Sequence, residues 1–307
     1  MTSLQQSLTG SDGVIIEVAT SFFPTAILPG VNHRRPDLIL VSSDSVFFYC
    51  HRERLLSSSS NLFGNLLASP PSRSSESSRS ASTNHEPHHS LLSLPTQTLQ
   101  ETGPVINVML HVIYGLPYRR FAPTLAIMAE ALIAMDRYGI AVIDESSELW
   151  TVVLHHAEIE PIRAYSIAAS HNMESLCTEI SQHTLGVSLA TVTEGDALTM
   201  GPVYLRKLFF LHMGRAQALK RVIERPPTSH RPIATCSADD AAEVVSRWEL
   251  AVASILVHPM AQNISTEELR DTLAAVVHPR MCPACFEDVR TRVADVIKDW
   301  DGIKRTI

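Results

Sequence analysis

The chain has 307 residues, of which 45% are hydrophobic and 19% charged, and this composition suffices for two domains of ordinary size. Its formal net charge of −7 argues against a nucleic-acid-binding protein, because such proteins present a basic face to phosphates. No apolar run reaches membrane-spanning length and the N-terminus lacks a signal-peptide pattern, so we expect an intracellular protein, cytoplasmic or nuclear, without membrane partners.

The first part of the chain carries strand signals. We treat residues 1–32 as an N-terminal segment, in which VIIEVATSFF (14–23) has the composition of a strand. Two further strands and a turn are predicted before His51, because alternating apolar residues can bury one face of a strand pair. The residues at those positions are Leu38, Leu40, Val46 and Phe48. A helix then begins at His51.

Residues 69–90 interrupt this pattern with a segment rich in Ser, Pro and His. Its few large apolar side chains cannot offset the entropy cost of ordering, so we expect a disordered insertion. Globular patterning resumes with LLSLP (91–95), a predicted short strand. A helix is predicted from Pro104 to Gly115, and another follows Thr124 as its N-cap.

Strand signals vanish after about residue 146, and residues 146–307 predict an all-helical domain. Proline opens two of its helices, and Ser265 to Glu268 has the pattern of a capping box. The predicted helices cover residues 147–157, 161–171, 173–184, 202–224, 238–257, 265–277 and 283–300.

The stretch DLILVSSDSVFFYCHRERLLSSSSNLFGNLL (37–67) resembles the start of a BTB/POZ domain. In that family an Asp opens the first strand, and a His followed by Lys or Arg begins the helix after the second strand. A Leu follows in that helix and an aromatic residue in the next one. The corresponding residues here are Asp37, His51, Arg52, Leu55 and Phe63.

Later segments continue the resemblance, which spans residues 33–141. LLSLP corresponds to the third strand of the family, and HVIYGL (111–116) and ALIAMDRYGI (131–140) correspond to the ends of two family helices. The whole chain is similar to a fungal, basidiomycete-like branch of BTB proteins that carry a helical extension. The resemblance implies an α+β fold: an N-terminal BTB/POZ domain with a short sheet flanked by helices, followed by an all-α domain.

The resemblance also implies a function in protein–protein interaction. We expect association with itself or with another BTB protein through the two-strand and first-helix region. Some BTB proteins are substrate adaptors of cullin-type ubiquitin ligases, so a cullin scaffold is a further expected partner. Asp37 and His51 lie at element ends, where backbone groups need partners, and this favours a structural role for them. We predict no catalytic residue, since neither a nucleophile elbow nor a phosphate-binding loop is present.

Cys282-Pro-Ala-Cys285 is the sharpest chemical motif, and three interpretations of it remain open. The first is a zinc site, whose other ligands would come from His230, Cys236 or His278. The second is a redox pair at a helix N-terminus, although thioredoxin-type motifs follow a strand and this one follows a helix. The third is packing of two thiols, which we prefer because a second CxxC is missing and the 5 cysteines indicate a reducing compartment. We therefore expect no cofactor, with a structural zinc or thiol-dependent protein as the alternative.

Overall fold

The computed structural model describes residues 5–9, 15–31, 34–68, 94–141 and 148–307. The predicted insertion at 69–90 lies outside these ranges. The chain divides into two compact units, 1–153 and 154–307. The fold is α+β, with a mixed sheet near the N-terminus and mostly helices after it. Among the described residues, no helix combines the length and the apolar character needed to cross a membrane.

The first unit is built on a five-stranded sheet in the order β1-β2-β4-β3-β5. The strands are β1 (Gln5–Thr9), β2 (Ile15–Ala19), β3 (Leu38–Val41), β4 (Val46–Cys50) and β5 (Thr96–Thr98). The pairs β1–β2 and β3–β4 are antiparallel, whereas β2–β4 and β3–β5 are parallel. The strands at 5–9 and 15–19 thus extend the hairpin formed by β3 and β4.

Two strand predictions need correction. The apolar segment 14–23 is a strand only as far as Ala19, and a short 3-10 turn over Thr20–Phe22 buries Phe22 against the helices. Of the strand predicted at 91–95, residues 91–93 lie outside the described ranges and residues 94 and 95 are not in a strand; the described strand β5 begins at Thr96, where the chain pairs with β3. Its side chains are polar, so hydrophobic patterning could not reveal it; the parallel pairing with Ile39 to Val41 makes it a strand.

Both faces of the β3–β4 hairpin are apolar. Leu40 and Phe48 are paired across the hairpin and fully buried on the face that Phe22 packs against. On the opposite face Val18, Ile39 and Tyr49 form a second buried cluster. Sequence alternation had predicted only the first face, because the second depends on β2 lying beside β4.

Ten helices follow the chain order: α1 (Arg52–Ser57), α2 (Gly103–Tyr114), α3 (Leu125–Arg137), α4 (Glu148–His156), α5 (Pro161–Ser170), α6 (Glu174–Thr184), α7 (Glu194–Ile223), α8 (Ala238–Leu256), α9 (Thr266–Ala274) and α10 (Pro283–Asp301). This number counts the described part of the chain. Gly115 ends α2 in the left-handed conformation and Thr124 caps α3 by accepting the Ile127 N–H, as predicted.

The segment after α1 is a left-handed turn. Leu62, Phe63, Gly64 and Asn65 all have positive φ, between 55° and 65°. Two side chains hold it, because Ser59 Oγ accepts the Phe63 N–H at 2.7 Å and Asn61 Oδ1 accepts the Gly64 N–H at 2.7 Å. The BTB resemblance implied a helix here. Short polar side chains that capture backbone N–H groups compete with the right-handed helix.

The second unit is helical, as the periodicity predicted. The helix predicted from Pro202 is present: α7 consists of two helical stretches joined at Gly201, and the second begins at Pro202. The first stretch, from Glu194 to Met200, was not predicted. Gly201 has φ 71° and ψ 168°, which breaks the helix where Pro202 cannot donate a hydrogen bond. Two buried tryptophans fix the helix packing: Trp248 donates to the Ile223 carbonyl and Trp300 to the Ile264 carbonyl.

Candidate metal centre

The CxxC motif lies at the start of α10, and its geometry follows from helix capping. Cys282 is the N-cap, Pro283 occupies the first turn, and the Cys282 sulfur accepts the Cys285 N–H at 3.3 Å. Proline suits this position because a backbone N–H in the first turn of a helix has no acceptor within the helix, so its absence costs no hydrogen bond. A spacing of three residues then brings both thiols to the same end of the helix. Both side chains are buried.

The third thiol comes from the turn that precedes α8. Ile233 and Cys236 exchange backbone hydrogen bonds at 3.0 Å, and this tight turn aims the Cys236 side chain into the unit. Ser237 follows at once as the N-cap of α8, in a complete capping box with Asp240. The box fixes the chain direction directly beside the thiol. Cys236 is 3% exposed and belongs to the same apolar cluster as Cys282 and Cys285.

His230 supplies a fourth group from the segment between α7 and α8. Its Nε2 lies 3.1 Å from Cys282 Sγ and 3.3 Å from Cys285 Sγ, and Cys236 Sγ lies 3.7 Å from Cys285 Sγ. The four atoms that could bind a metal all lie within 4.8 Å of one another. The chain thus brings together groups separated by up to 55 residues.

The hydrogen bonds of His230 define its tautomer. Its Nδ1 lies 2.7 Å from the carbonyl oxygen of Arg231. A carbonyl oxygen only accepts, so Nδ1 carries the proton and donates it. Nε2 is then left with its lone pair facing the thiols. This is the arrangement seen in metal sites, where the second ring nitrogen of a ligating histidine is held by a backbone carbonyl or carboxylate.

The thiols differ in acidity. The backbone N–H of Cys285, followed by the side chain of His230, lowers the pKa of Cys282 to about 7. Burial, followed by interaction with Cys282, raises the pKa of Cys285 to about 12, and burial also raises the pKa of Cys236. Without a metal, only Cys282 approaches the thiolate form at neutral pH. A divalent cation would stabilise the thiolate of all three.

One predicted ligand lies elsewhere. His278 is not part of the four-residue cluster; its Nδ1 accepts the Arg280 N–H at 3.3 Å within its own loop. Cys50 and Cys177 are buried free thiols outside the cluster. The sequence therefore named all four clustered residues, with His278 as one too many. In the sequence, His230 and His278 are both single histidines between predicted helices, so no local pattern shows which of them joins the cysteines.

The cluster would fill the coordination sphere of one metal ion. Three sulfurs and one nitrogen form a Cys₃His set, which suits tetrahedral zinc. A catalytic zinc site keeps one position open for water or substrate, whereas four protein ligands leave none. The arrangement therefore fits a structural ion rather than a catalytic one.

The predicted signature residues of the stretch 37–67 lie in the first unit, where Asp37 and Arg52 form a structural network. Asp37 Oδ1 accepts the Arg52 N–H at 2.7 Å and thereby satisfies a free donor at the start of α1. The Arg52 side chain in turn donates to the Leu67 carbonyl. The start of α1 is therefore hydrogen-bonded both to Asp37, which precedes β3, and to Leu67, which follows the left-handed turn.

His51 makes hydrogen bonds through three groups. Its N–H donates to the Tyr114 hydroxyl at 2.9 Å, its Nδ1 lies 3.2 Å from the same hydroxyl, and its Nε2 lies 3.0 Å from the Arg34 carbonyl. Nε2 therefore donates to the carbonyl, and Nδ1 accepts from the hydroxyl. Sequence reasoning missed Tyr114 as this partner, because nothing local links positions 51 and 114.

Leu55 and Phe63 are core residues. Both are 0% exposed, and the Phe63 ring stacks on Tyr138 with ring centroids 4.5 Å apart and an interplanar angle of 9°. Tyr138 donates to Glu101 Oε2 at 2.6 Å, which fixes the ring against which Phe63 packs.

Comparison with protein-family models, with curated proteins and with solved structures finds no match.

Proposed function

We propose that this chain is a non-catalytic protein–protein interaction protein whose first unit is a BTB/POZ-type module. The observation that carries the proposal is the order of elements after residue 37. An antiparallel hairpin (β3–β4) leads into α1, a third strand (β5) pairs parallel to β3, and two helices (α2, α3) follow. The BTB resemblance implies this order.

The placement of the signature residues supports the same proposal. The His51 ring donates a hydrogen bond to the Arg34 carbonyl, and the Asp37 carboxylate accepts one from the Arg52 N–H. Both side chains therefore have a structural use. The left-handed turn at 62–65 departs from the family pattern. It changes the surface next to α1, so the interface of this chain would differ in detail from the common one.

The surface itself also supports an interaction role. Leu62 is 47% exposed and Leu66 is 40% exposed, and both follow α1 directly, at the end of the two-strand and first-helix region that the resemblance assigns to association. Exposed apolar side chains close together mark interaction sites more often than single ones do. We propose this pair as part of the contact with a second copy, another BTB protein or a cullin-type scaffold.

The oligomeric state tests self-association. We expect the purified chain to sediment as a dimer at micromolar concentration and the double variant Leu62→Asn with Leu66→Asp to sediment as a monomer. Asparagine tolerates the left-handed conformation of residue 62, so the turn should survive. Ile133→Asp is the matched control, because Ile133 is 60% exposed on α3 outside the 37–67 stretch and should leave the dimer intact.

Capture from native cells tests the adaptor role. Recovery of a cullin scaffold with the wild type, and its loss with the Leu62→Asn/Leu66→Asp variant, would support a ligase adaptor. A wild type that is monomeric at tens of micromolar and captures no protein in a manner sensitive to this variant would contradict the proposal.

A further inference from the structure

The geometry points to a structural zinc site formed by His230, Cys236, Cys282 and Cys285, which closes the loop between α7 and α8 onto the start of α10. This inference is independent of the proposed function, since all four residues belong to the second unit. The ligand is one Zn²⁺ ion, bound through three thiolates and one neutral imidazole.

The distances between the ligand atoms match a tetrahedral site. With zinc–sulfur bonds of about 2.3 Å and a zinc–nitrogen bond of about 2.0 Å, the edges of a tetrahedron are roughly 3.8 Å between sulfurs and roughly 3.5 Å between sulfur and nitrogen. Three of the six edges compare directly: Cys236 Sγ and Cys285 Sγ are 3.7 Å apart, and His230 Nε2 lies 3.1 Å from Cys282 Sγ and 3.3 Å from Cys285 Sγ. All four atoms lie within 4.8 Å of one another, so a small adjustment brings them to a common ion. The distance between the sulfurs of Cys236 and Cys285 excludes a disulfide between them, which requires about 2.05 Å.

The surroundings prepare the site for a metal. The Arg231 carbonyl holds the proton on Nδ1 of His230, so that Nε2 is available as a ligand. The Cys285 N–H points at the Cys282 sulfur and stabilises negative charge there. The cluster lies against an apolar core that includes Trp248 and Val289, which keeps water away from the thiolates.

Packing of neutral thiols explains this arrangement less well. Three elements converge on the cluster: the segment after α7, the turn before α8 and the N-cap of α10. The segment from 224 to 237 contains no helix, seven of its polar or charged residues are exposed, and only Pro227 and Cys236 within it are buried. A metal bound at both His230 and Cys236 would fix this segment to α10, which apolar packing of two side chains does only weakly.

Zn²⁺ displaces the proton of each of the three thiols, these protons pass to solvent, and the neutral imidazole loses none. The loaded site carries a net charge of −1. No electron is transferred, so the site needs neither oxidant nor reductant. The soft sulfur ligands select zinc over magnesium or calcium, which prefer oxygen.

Metal analysis of the purified full-length chain tests the inference. We expect about one zinc per chain by elemental analysis and a large loss of zinc in Cys285→Ser. Cys177→Ser is the matched control, because Cys177 is also a buried free thiol but lies outside the cluster. It should keep its zinc.

Two further variants keep the test decisive if Cys285→Ser does not fold. His230 is only partly buried, so His230→Ala should fold and bind zinc more weakly, whereas His230→Cys restores a four-ligand set and should retain the metal. Wild-type protein treated with a thiol-blocking mercurial should release its zinc to a colorimetric chelator. Removal of the metal should also lower the midpoint of thermal unfolding.

Three results would overturn the inference. One is wild-type protein that contains no zinc above background, even after incubation with equimolar zinc under reducing conditions. The second is iron in place of zinc in protein purified under reducing conditions. The third is a thiol count showing that two of the clustered cysteines are joined in a disulfide in the native protein.

Discussion

Arg215 offers a sharp test of how the second unit is held together. Its side chain is 3% exposed on α7, and all its described hydrogen bonds go to backbone carbonyls. Nε donates to Gln262, and Nη1 donates to Ile303 and Lys304, each at 2.9 Å. The guanidinium also lies 4.3 Å from the centre of the Trp300 ring. One side chain thus joins α7, the turn before α9 and the C-terminal residues.

We expect Arg215→Met to lower the free energy of unfolding by about 3–5 kcal/mol. Three hydrogen bonds contribute roughly 1 kcal/mol each after exchange with water, and the cation–π contact adds about 1–2 kcal/mol. Relief of a buried charge offsets part of this loss, since burial lowers the pKa of Arg215 to about 10. Methionine keeps much of the apolar stem, so cavity formation adds little.

The assay is urea denaturation of the full chain, followed by tryptophan emission. Trp248 and Trp300 both lie in the second unit and are buried. Arg215→Lys keeps the charge but replaces the planar fork by one ammonium group, and we expect a loss of about 2 kcal/mol. Arg206→Met, an exposed arginine of the same helix, is the control and should change stability by less than about 0.5 kcal/mol. A loss below about 1 kcal/mol for Arg215→Met would refute the reasoning.

Three other changes test the structure. Burial lowers the pKa of His111 and of His212 to about 4, so the unfolded chain takes up protons first as the pH falls. The contribution of these neutral histidines to the free energy of unfolding should be fully present above about pH 6.5. The free energy of unfolding should fall by about 2 kcal/mol per histidine between pH 7 and pH 5, which urea midpoints at both pH values would show. Tyr114→Phe removes the acceptor of the buried His51 N–H and should cost about 2 kcal/mol in the same assay. Gly64→Ala should cost about 1–2 kcal/mol by thermal unfolding, because Gly64 has φ 65° and a Cβ there would lie 3.1 Å from the Tyr138 ring.

Each of these results has a clear contrary outcome. Urea midpoints that do not differ between pH 7 and pH 5 would mean that the two histidines are not buried in their neutral form. An unchanged midpoint for Tyr114→Phe would show that water replaces the hydroxyl as the acceptor of the His51 N–H. A more stable Gly64→Ala would mean that residue 64 does not adopt the left-handed conformation.

The sequence by itself determined most of the local structure. The helices of the second unit, the Thr124 cap and the Gly115 end follow from side-chain periodicity and from backbone groups that need partners within one turn. The spacing of Cys282 and Cys285 at a helix start is local in the same sense. Interactions over three or four residues depend on the sequence alone, so pattern reasoning reaches them.

Tertiary structure decided what lies far apart in the chain. His230 meets Cys285 across 55 residues, and Tyr114 meets His51 across 63. The polar strand β5 exists because β3 offers it a partner, and Phe63 lies in a left-handed turn because Ser59 and Asn61 capture its backbone donors. Whether His230 or His278 joins the thiols depends on how the loops before α8 and α10 pack, since both histidines look alike in the sequence. Long-range packing sets these contacts, and no local pattern encodes the distance between two loops.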